Sequence, residues 1–272
     1  MAAWLGRAFA PSRRAFGRCL KGANAVFDGV WLGLLDPVSL AEVDERFYRS
    51  HGSGGGTDAK FAGEDHNASG LWDWEEQALE RFFAPGSRVV VTAAGGGREV
   101  LALAQRGYRV AGYEPNDSLV QAGRRLLSAR ELPVTASLDG CPRDRFPAGA
   151  PECEGVVVGW GSYIHIQGRA ARVSLLEQAR ARLSPGDPVL VSFWLRPPGQ
   201  RYLSVVRRLA TPLRAARGLP PPELGDTVRD TFVHWFTRAE IESELREAGF
   251  EPAHFAAEPY AHAVGVVASD RR

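Results

Sequence analysis

Hydrophobic positions along this chain switch period repeatedly from about residue 70 onward. Val89-Val90-Val91 is a continuous β-branched run, the pattern of a strand buried on both faces. It meets Gly95-Gly96-Gly97, after which Val100, Leu101, Leu103 and Ala104 fall on helical spacing between Arg98 and Arg106. Gly107 ends that helix, and residues 109–113 read as a second strand with Glu114 at its carboxyl end. Short apolar runs at 134–138, 155–159 and 189–193 predict three more strands, and 263–268 predicts the last. Between them, Val173, Leu175, Leu176, Ala179 and Leu183 mark one helix. Thr237 and Glu240 form the T-x-x-E capping box of another, which Gly249 closes. Strands alternating with helices predict an α/β fold with a mostly parallel sheet.

The pattern changes at both edges of this core. Residues 27–35 and 40–48 predict two helices broken at Asp36-Pro37, and residues 51–57 read as a glycine-rich flexible loop. Residues 196–233 insert a basic helical run, 202–217, between proline clusters. The expected organisation is a helical cap over residues 1–70 and a ligand-binding domain over 71–272, interrupted by a substrate-covering insertion at about 196–233.

Composition narrows the class without choosing a substrate. With 272 residues, 44% of them hydrophobic, the chain can bury a substantial core. The net charge of +1 gives no global attraction to nucleic acid or membrane, and no run of apolar residues is long enough for stable membrane insertion. Cys19, Cys141 and Cys153 are an odd number without ligand spacing, which favours reduced thiols and a cytoplasmic location and argues against a zinc site. No cluster of carboxylates on one loop predicts a metal. The first 27 residues stand apart, with five cations, no acid and interleaved aromatics. An extra covering helix, a tail, a targeting segment and a lipid-contacting helix all remain open for them.

The chemistry lies in the strand, glycine turn, helix, strand and acid of residues 88–114. Glycine lets the backbone approach a ligand closely, and a carboxylate about twenty residues later can chelate two ribose hydroxyls. A dinucleotide fingerprint needs a third glycine where Arg98 stands, which disfavours a nicotinamide-dependent oxidoreductase. The arrangement instead resembles the first motif of class I S-adenosylmethionine-dependent methyltransferases, an acid followed by G-x-G-x-G. Val91 replaces the acid and Ala93 the first glycine, while Gly95 and Gly97 remain. That departure keeps open a non-catalytic cofactor-binding protein or partner subunit. Ser184-Pro185-Gly186-Asp187 before the fifth strand, and Phe236-Thr237-Arg238 before the last helix, are similar to later elements of the same family, in the same order.

The resemblance covers roughly residues 70–270 and implies a Rossmann-like fold, a seven-stranded mostly parallel sheet with helices on both faces and helical lid elements. It implies S-adenosylmethionine as cofactor, held by Ala93, Gly95, Gly97, Glu114, Pro115, Asn116, Asp139 and Trp160, with Asp139 on the adenine amino group. It places the loop 160–165 beside the transferred methyl. His165 is then the candidate base and His234 a weaker candidate, because a hydroxyl acceptor benefits from a base near neutral pKa. Tyr48, Trp72, Tyr163, Tyr202 and Trp235 are the candidate substrate contacts. The expected reaction is methylation of a small molecule, at oxygen, with no nucleic-acid partner. The sequence leaves nitrogen and carbon acceptors, and the oligomeric state, open.

Overall fold

The computed structural model describes residues 22–53, 61–199 and 201–268. The basic stretch 1–21 and the loop residues 54–57 therefore lie outside the described residues. Helix α1 (22–34) and helix α2 (Pro37–Ser53) meet at the expected proline. Pro37 takes the first helical position, where no N–H is needed, and the Asp36 carboxylate accepts from the Ser39 N–H at 2.8 Å. The helix continues through His51 to Ser53, so the expected loop starts later than its glycine-rich composition suggests.

A short α3 (Glu64–Asn67) and α4 (Asp73–Phe82) lead into β1 (Arg88–Thr92). Then follow α5 (Arg98–Gln105), β2 (Arg109–Glu114), α6 (Asp117–Ser128), β3 (Ala136–Gly140) and β4 (Gly155–Val158). A single 3₁₀ turn (Ser162–His165) precedes α7 (Arg169–Arg180) and β5 (Pro188–Ser192). The sheet is completed by α9 (Arg238–Glu247), β9 (Phe250–Ala256) and β10 (His262–Val267). Its order is β3-β2-β1-β4-β5-β10-β9, with β10 antiparallel to both neighbours and the pairs from β3 to β5 all parallel. Val90 and Val91 are fully buried in the middle of it, with helices covering both faces, which is why β1 carries no polar alternation. The last helix starts with the expected capping box between Thr237 and Glu240.

The insertion after β5 contributes more than a helix. β6 (Trp194–Leu195), β7 (Asp226–Val228) and β8 (Phe232–Phe236) form a second, three-stranded sheet, and α8 (Arg201–Ala215) lies between β6 and β7. Ala25, Leu32 and Leu40 of the first two helices share one apolar cluster with Val206 and Ala210 of α8 and with Val228 and Phe232. Segments nearly two hundred residues apart thus build one layer, whose strand β8 meets the 3₁₀ turn beside the carboxyl end of β4. In an open parallel sheet that end is where ligands bind.

Candidate active site

A cavity of about 550 Å³ opens over the carboxyl ends of β1, β2 and β4. Its floor is the loop after β1, where Ala93 (φ 50°) and Gly95 (φ 55°) are left-handed. Gly95 has open space where a Cβ would stand, so a ligand can approach this backbone. Gly96 serves packing instead: a Cβ there would lie 2.4 Å from both Asn67 Nδ2 and the Phe61 carbonyl oxygen. Gly97 caps α5 at φ 94° with Leu138 beside it and does not reach the cavity. Of the two glycines that survive from the motif, one faces the ligand space and one faces the helix contact.

Glu114 ends β2 with its carboxylate held from two sides. Oε2 accepts from the Gly95 N–H at 2.8 Å and Oε1 from the Asn116 N–H at 2.9 Å. Burial raises its pKa, and these two backbone donors oppose the shift. Pro115 and Asn116 line the wall beside it, and the Asn116 side chain caps α6. Asp139 is elsewhere: half exposed, it accepts from Arg124 at 2.5 Å and does not line the cavity. The expected adenine contact is corrected accordingly, because the β3 exit turns residues 141–145 toward the cavity in its place. Burial there pushes the Cys141 thiol up to about 12.

Trp160 lines the cavity above a buried ion network. Arg98, 2% exposed, donates to Glu75 at 2.6 and 2.7 Å, to Glu99 at 2.9 Å and to the Gly70 carbonyl at 2.8 Å. Glu99 also accepts the Trp160 N–H at 2.9 Å. Burial works against the Arg98 charge, but Glu99 and Glu75 together more than offset it and hold its pKa above the usual value. The guanidinium stands over Trp72 and Trp160, with its carbon 5.2 and 5.8 Å from the ring centroids. Trp72 is partly exposed outside the cavity and supports Trp160 from behind, so it is corrected from a substrate contact to a packing partner.

At the other end of the cavity, α2 contributes Val38, Ala41, Glu42, Glu45 and Tyr48, on the spacing of one helix face. The Tyr48 hydroxyl lies 2.9 Å from Nε2 of His165. His165 Nδ1 lies 2.8 Å from the Phe232 carbonyl oxygen, which can only accept, so Nδ1 carries the proton and Nε2 accepts from Tyr48. Burial lowers the His165 pKa to about 4, and the same cause raises that of Tyr48 well above its ordinary value. The imidazole is therefore neutral near pH 7.

The remaining expected residues lie off the cavity. Tyr163 is 1% exposed and donates to Glu244 at 2.7 Å in the core beneath the 3₁₀ turn, because it points opposite to His165. Tyr202 on α8 donates to Asp28 of α1, and Trp235 packs on Trp194 with centroids 5.0 Å apart. His234 is buried in the small sheet, its Nδ1 2.6 Å from Asp226. Glu223, Asp226 and His234 have ligand atoms close together, but Arg172 holds Glu223 at 2.7 Å and the Asp226–His234 bond occupies the others. Sequence reasoning missed Asp44, Glu99 and Arg143, because nothing local in the sequence marks them; they meet the site only through tertiary packing.

No protein-family model matches the chain, and no curated protein matches it. Solved structures do match. The CcbJ methyltransferase from Streptomyces caelestis is 18% identical, with a TM-score of 0.56 over 84% of this chain and 98% of that one. The 1,6-didemethyltoxoflavin-N1-methyltransferase from Burkholderia thailandensis, solved with that substrate and S-adenosylhomocysteine, is 17% identical, with a TM-score of 0.56 over 87% and 92%. A sugar N-methyltransferase from Streptoalloteichus is 16% identical, with a TM-score of 0.54 over 83% and 93%. The sheet order, the glycine loop and the cavity above them are thus set in the fold of the class I S-adenosylmethionine-dependent methyltransferases.

Proposed function

We propose that the protein transfers a methyl group from S-adenosylmethionine to a small-molecule acceptor, at oxygen. The observation that carries the cofactor half is Glu114, a buried carboxylate at the end of β2, fixed by Gly95 and Asn116 and facing a cavity floored by left-handed backbone. A carboxylate so placed suits a ribose diol, and the open space at Gly95 suits the close passage of a ligand. Trp160 and the 141–145 segment would flank the same group. When bound, S-adenosylmethionine supplies a methyl on a positively charged sulfur, already activated for displacement. The protein's part is to align the acceptor, exclude water and take up its proton.

Tyr48 and His165 support the oxygen acceptor. The Tyr48 oxygen can take the acceptor's proton while its own proton passes to Nε2 of His165, which is unprotonated at neutral pH. A hydroxyl becomes strongly acidic as its oxygen gains the methyl, so a late transfer to this weak base suffices. A second reading, nitrogen, is favoured by Glu42 and Glu45 on the same wall as the Tyr48 and Phe61 rings, a combination suited to an organic ammonium. The sugar N-methyltransferase and the toxoflavin enzyme named above methylate nitrogen. The odd cysteine count, with Cys141 and Cys153 both free, supports a reducing, cytoplasmic setting. No helix among the described residues is long and apolar enough to cross a membrane.

Calorimetry with S-adenosylmethionine tests the cofactor, and S-adenosylhomocysteine release across a panel of phenols, carboxylates and amines tests the acceptor. Micromolar cofactor binding with turnover of a phenol or carboxylate is the expected result. Cofactor binding without turnover of any acceptor would favour a non-catalytic binding protein. Exclusive turnover of amines would replace oxygen by nitrogen.

A further inference from the structure

The chain of contacts behind His165 continues past the imidazole. Its Nδ1–H donates to the Phe232 carbonyl at 2.8 Å, and the N–H of the same residue, at the start of β8, donates to Asp44 Oδ1 at 2.8 Å. Asp44 is 0% exposed and lies on α2, one turn before Tyr48. Tyr48 in turn donates to Nε2 of His165 at 2.9 Å. The contacts therefore close a ring through α2, β8, the 3₁₀ turn and α2 again. Arg143, from the loop after β3, pairs with the other oxygen of Asp44.

From this geometry we infer that Asp44 is a positioning residue for the reaction, acting on His165 through the Phe232 backbone. The inference rests on the methyltransferase reading of the cavity. The N–H and carbonyl of Phe232 belong to different peptide units, so Asp44 acts by position: its charge-assisted bond to the N–H fixes the residue, and with it the place of the carbonyl that meets His165. That carbonyl then holds the Nδ1–H tautomer, aims Nε2 at Tyr48 and raises the basicity of Nε2 above what burial alone would leave. The arrangement also explains why an acid is buried on a face of α2 that contributes nothing to the cavity wall. Burial raises the pKa of Asp44 to about 6, with Arg143 and the Phe232 N–H opposing and Asp144 adding to the shift. Below that pH the carboxyl becomes neutral and its hold on the Phe232 N–H and on Arg143 weakens.

Asp44→Asn keeps an acceptor for the Phe232 N–H and removes the charge. In the full-length protein it should lower kcat about tenfold while leaving the KM for S-adenosylmethionine and the melting temperature near wild type. The fall in wild-type kcat below about pH 6 should vanish in the variant. Nitrogen-15 NMR of histidine-labelled protein should show a protonated Nδ1 and an unprotonated Nε2 at His165 in wild type. It should show a shifted Nε2 resonance in Asp44→Asn and mixed tautomers in Asp44→Ala. Unchanged kcat and pH profile in Asp44→Asn would overturn the assignment. So would an unmoved His165 spectrum accompanied by lost stability, since Asp44 would then only brace α2 against Arg143. The NMR readout needs no turnover: wild-type protein that binds no S-adenosylmethionine but shows the expected spectra would refute the methyltransferase reading and leave the Asp44–His165 coupling standing.

Discussion

The hydroxyl of Tyr48 donates to Nε2 of His165 at 2.9 Å, and this bond joins the amino-terminal helix α2 to the turn after β4. One side of the contact comes from the cap and the other from the sheet, so the acceptor end of the cavity exists only when the two are packed together. The pair also fixes the protonation state of the imidazole, and its first consequence concerns pH.

His165→Gln should lower kcat by about 10²-fold and hardly change cofactor affinity, because the imidazole is bonded to Tyr48 and Phe232 at the acceptor end of the cavity. The sequence alone suggests a rate that falls below the ordinary histidine pKa. Burial moves that inflection down to about 4, so the titration of His165 itself should leave the rate level from pH 8 to about 5.5, and the fall below about pH 6 belongs to Asp44. Stability follows the same group. The folded-state pKa lies below the unfolded value, so the stabilisation from neutral His165 is complete above about 6.5 and is lost as pH falls toward 4. Melting curves of wild type and His165→Gln should differ in slope only within that window. Identical slopes there would show that His165 already titrates normally.

Glu114→Ala should weaken S-adenosylmethionine binding by roughly 2–3 kcal/mol, about 30- to 150-fold in Kd. It also strips acceptors from the Gly95 and Asn116 N–H groups, so a stability loss of about 1–2 kcal/mol should accompany it. Glu114→Gln keeps one of those acceptors and should lose less stability than affinity. Unchanged affinity in both variants by calorimetry would remove Glu114 from the cofactor site.

The glycine loop gives three substitutions with different outcomes. Ala93 has φ 50°, so Ala93→Gly relieves strain and should stabilise the fold by about 1 kcal/mol. Gly95→Val places a branched side chain on left-handed backbone at the cavity floor and should abolish cofactor binding with modest destabilisation. Gly96→Ala meets Asn67 and the Phe61 carbonyl at 2.4 Å and should cost stability first. Cofactor binding retained in Gly95→Val would mean that the whole loop serves packing.

These residues also show what was legible in the sequence. The βαβ core could be read because its strands are buried on both faces and its helices are amphipathic, both local patterns; β2 ended at Glu114 as expected. Gly95 and Gly97 were visible as a motif, but their different roles depend on what lies opposite: cavity for one, Leu138 for the other. Tyr163 and His165 are two apart on a 3₁₀ turn, and only the packed core decides which faces inward. The small sheet β6-β8-β7 was missed because its strands are two to five residues long and lie among prolines. Asp139 looked like a ligand contact from its place after β3, until Arg124 on α6 claimed it.

Arg98 stands where a dinucleotide-binding protein needs glycine, and the structure gives that substitution a purpose. Its guanidinium neutralises Glu75 and Glu99, both nearly inaccessible, and through Glu99 it steadies the Trp160 N–H at the cavity wall. Arg98→Met fits the volume but leaves two buried carboxylates facing each other. It should cost about 3–5 kcal/mol, read by urea unfolding. The penalty should shrink as pH falls, because burial raises the Glu75 pKa and protonating that carboxyl removes one of the stranded charges while the unfolded chain is still ionised. Adding Glu75→Gln to Arg98→Met removes one of the stranded charges and should recover part of the loss at neutral pH. The single variant should also weaken cofactor binding, since the 160–162 segment loses its anchor. A loss below about 1 kcal/mol that does not vary with pH would mean that water reaches the pair, and that the Trp160 ring contacts with Trp72 and Tyr260 matter more to its placement than the ion network does.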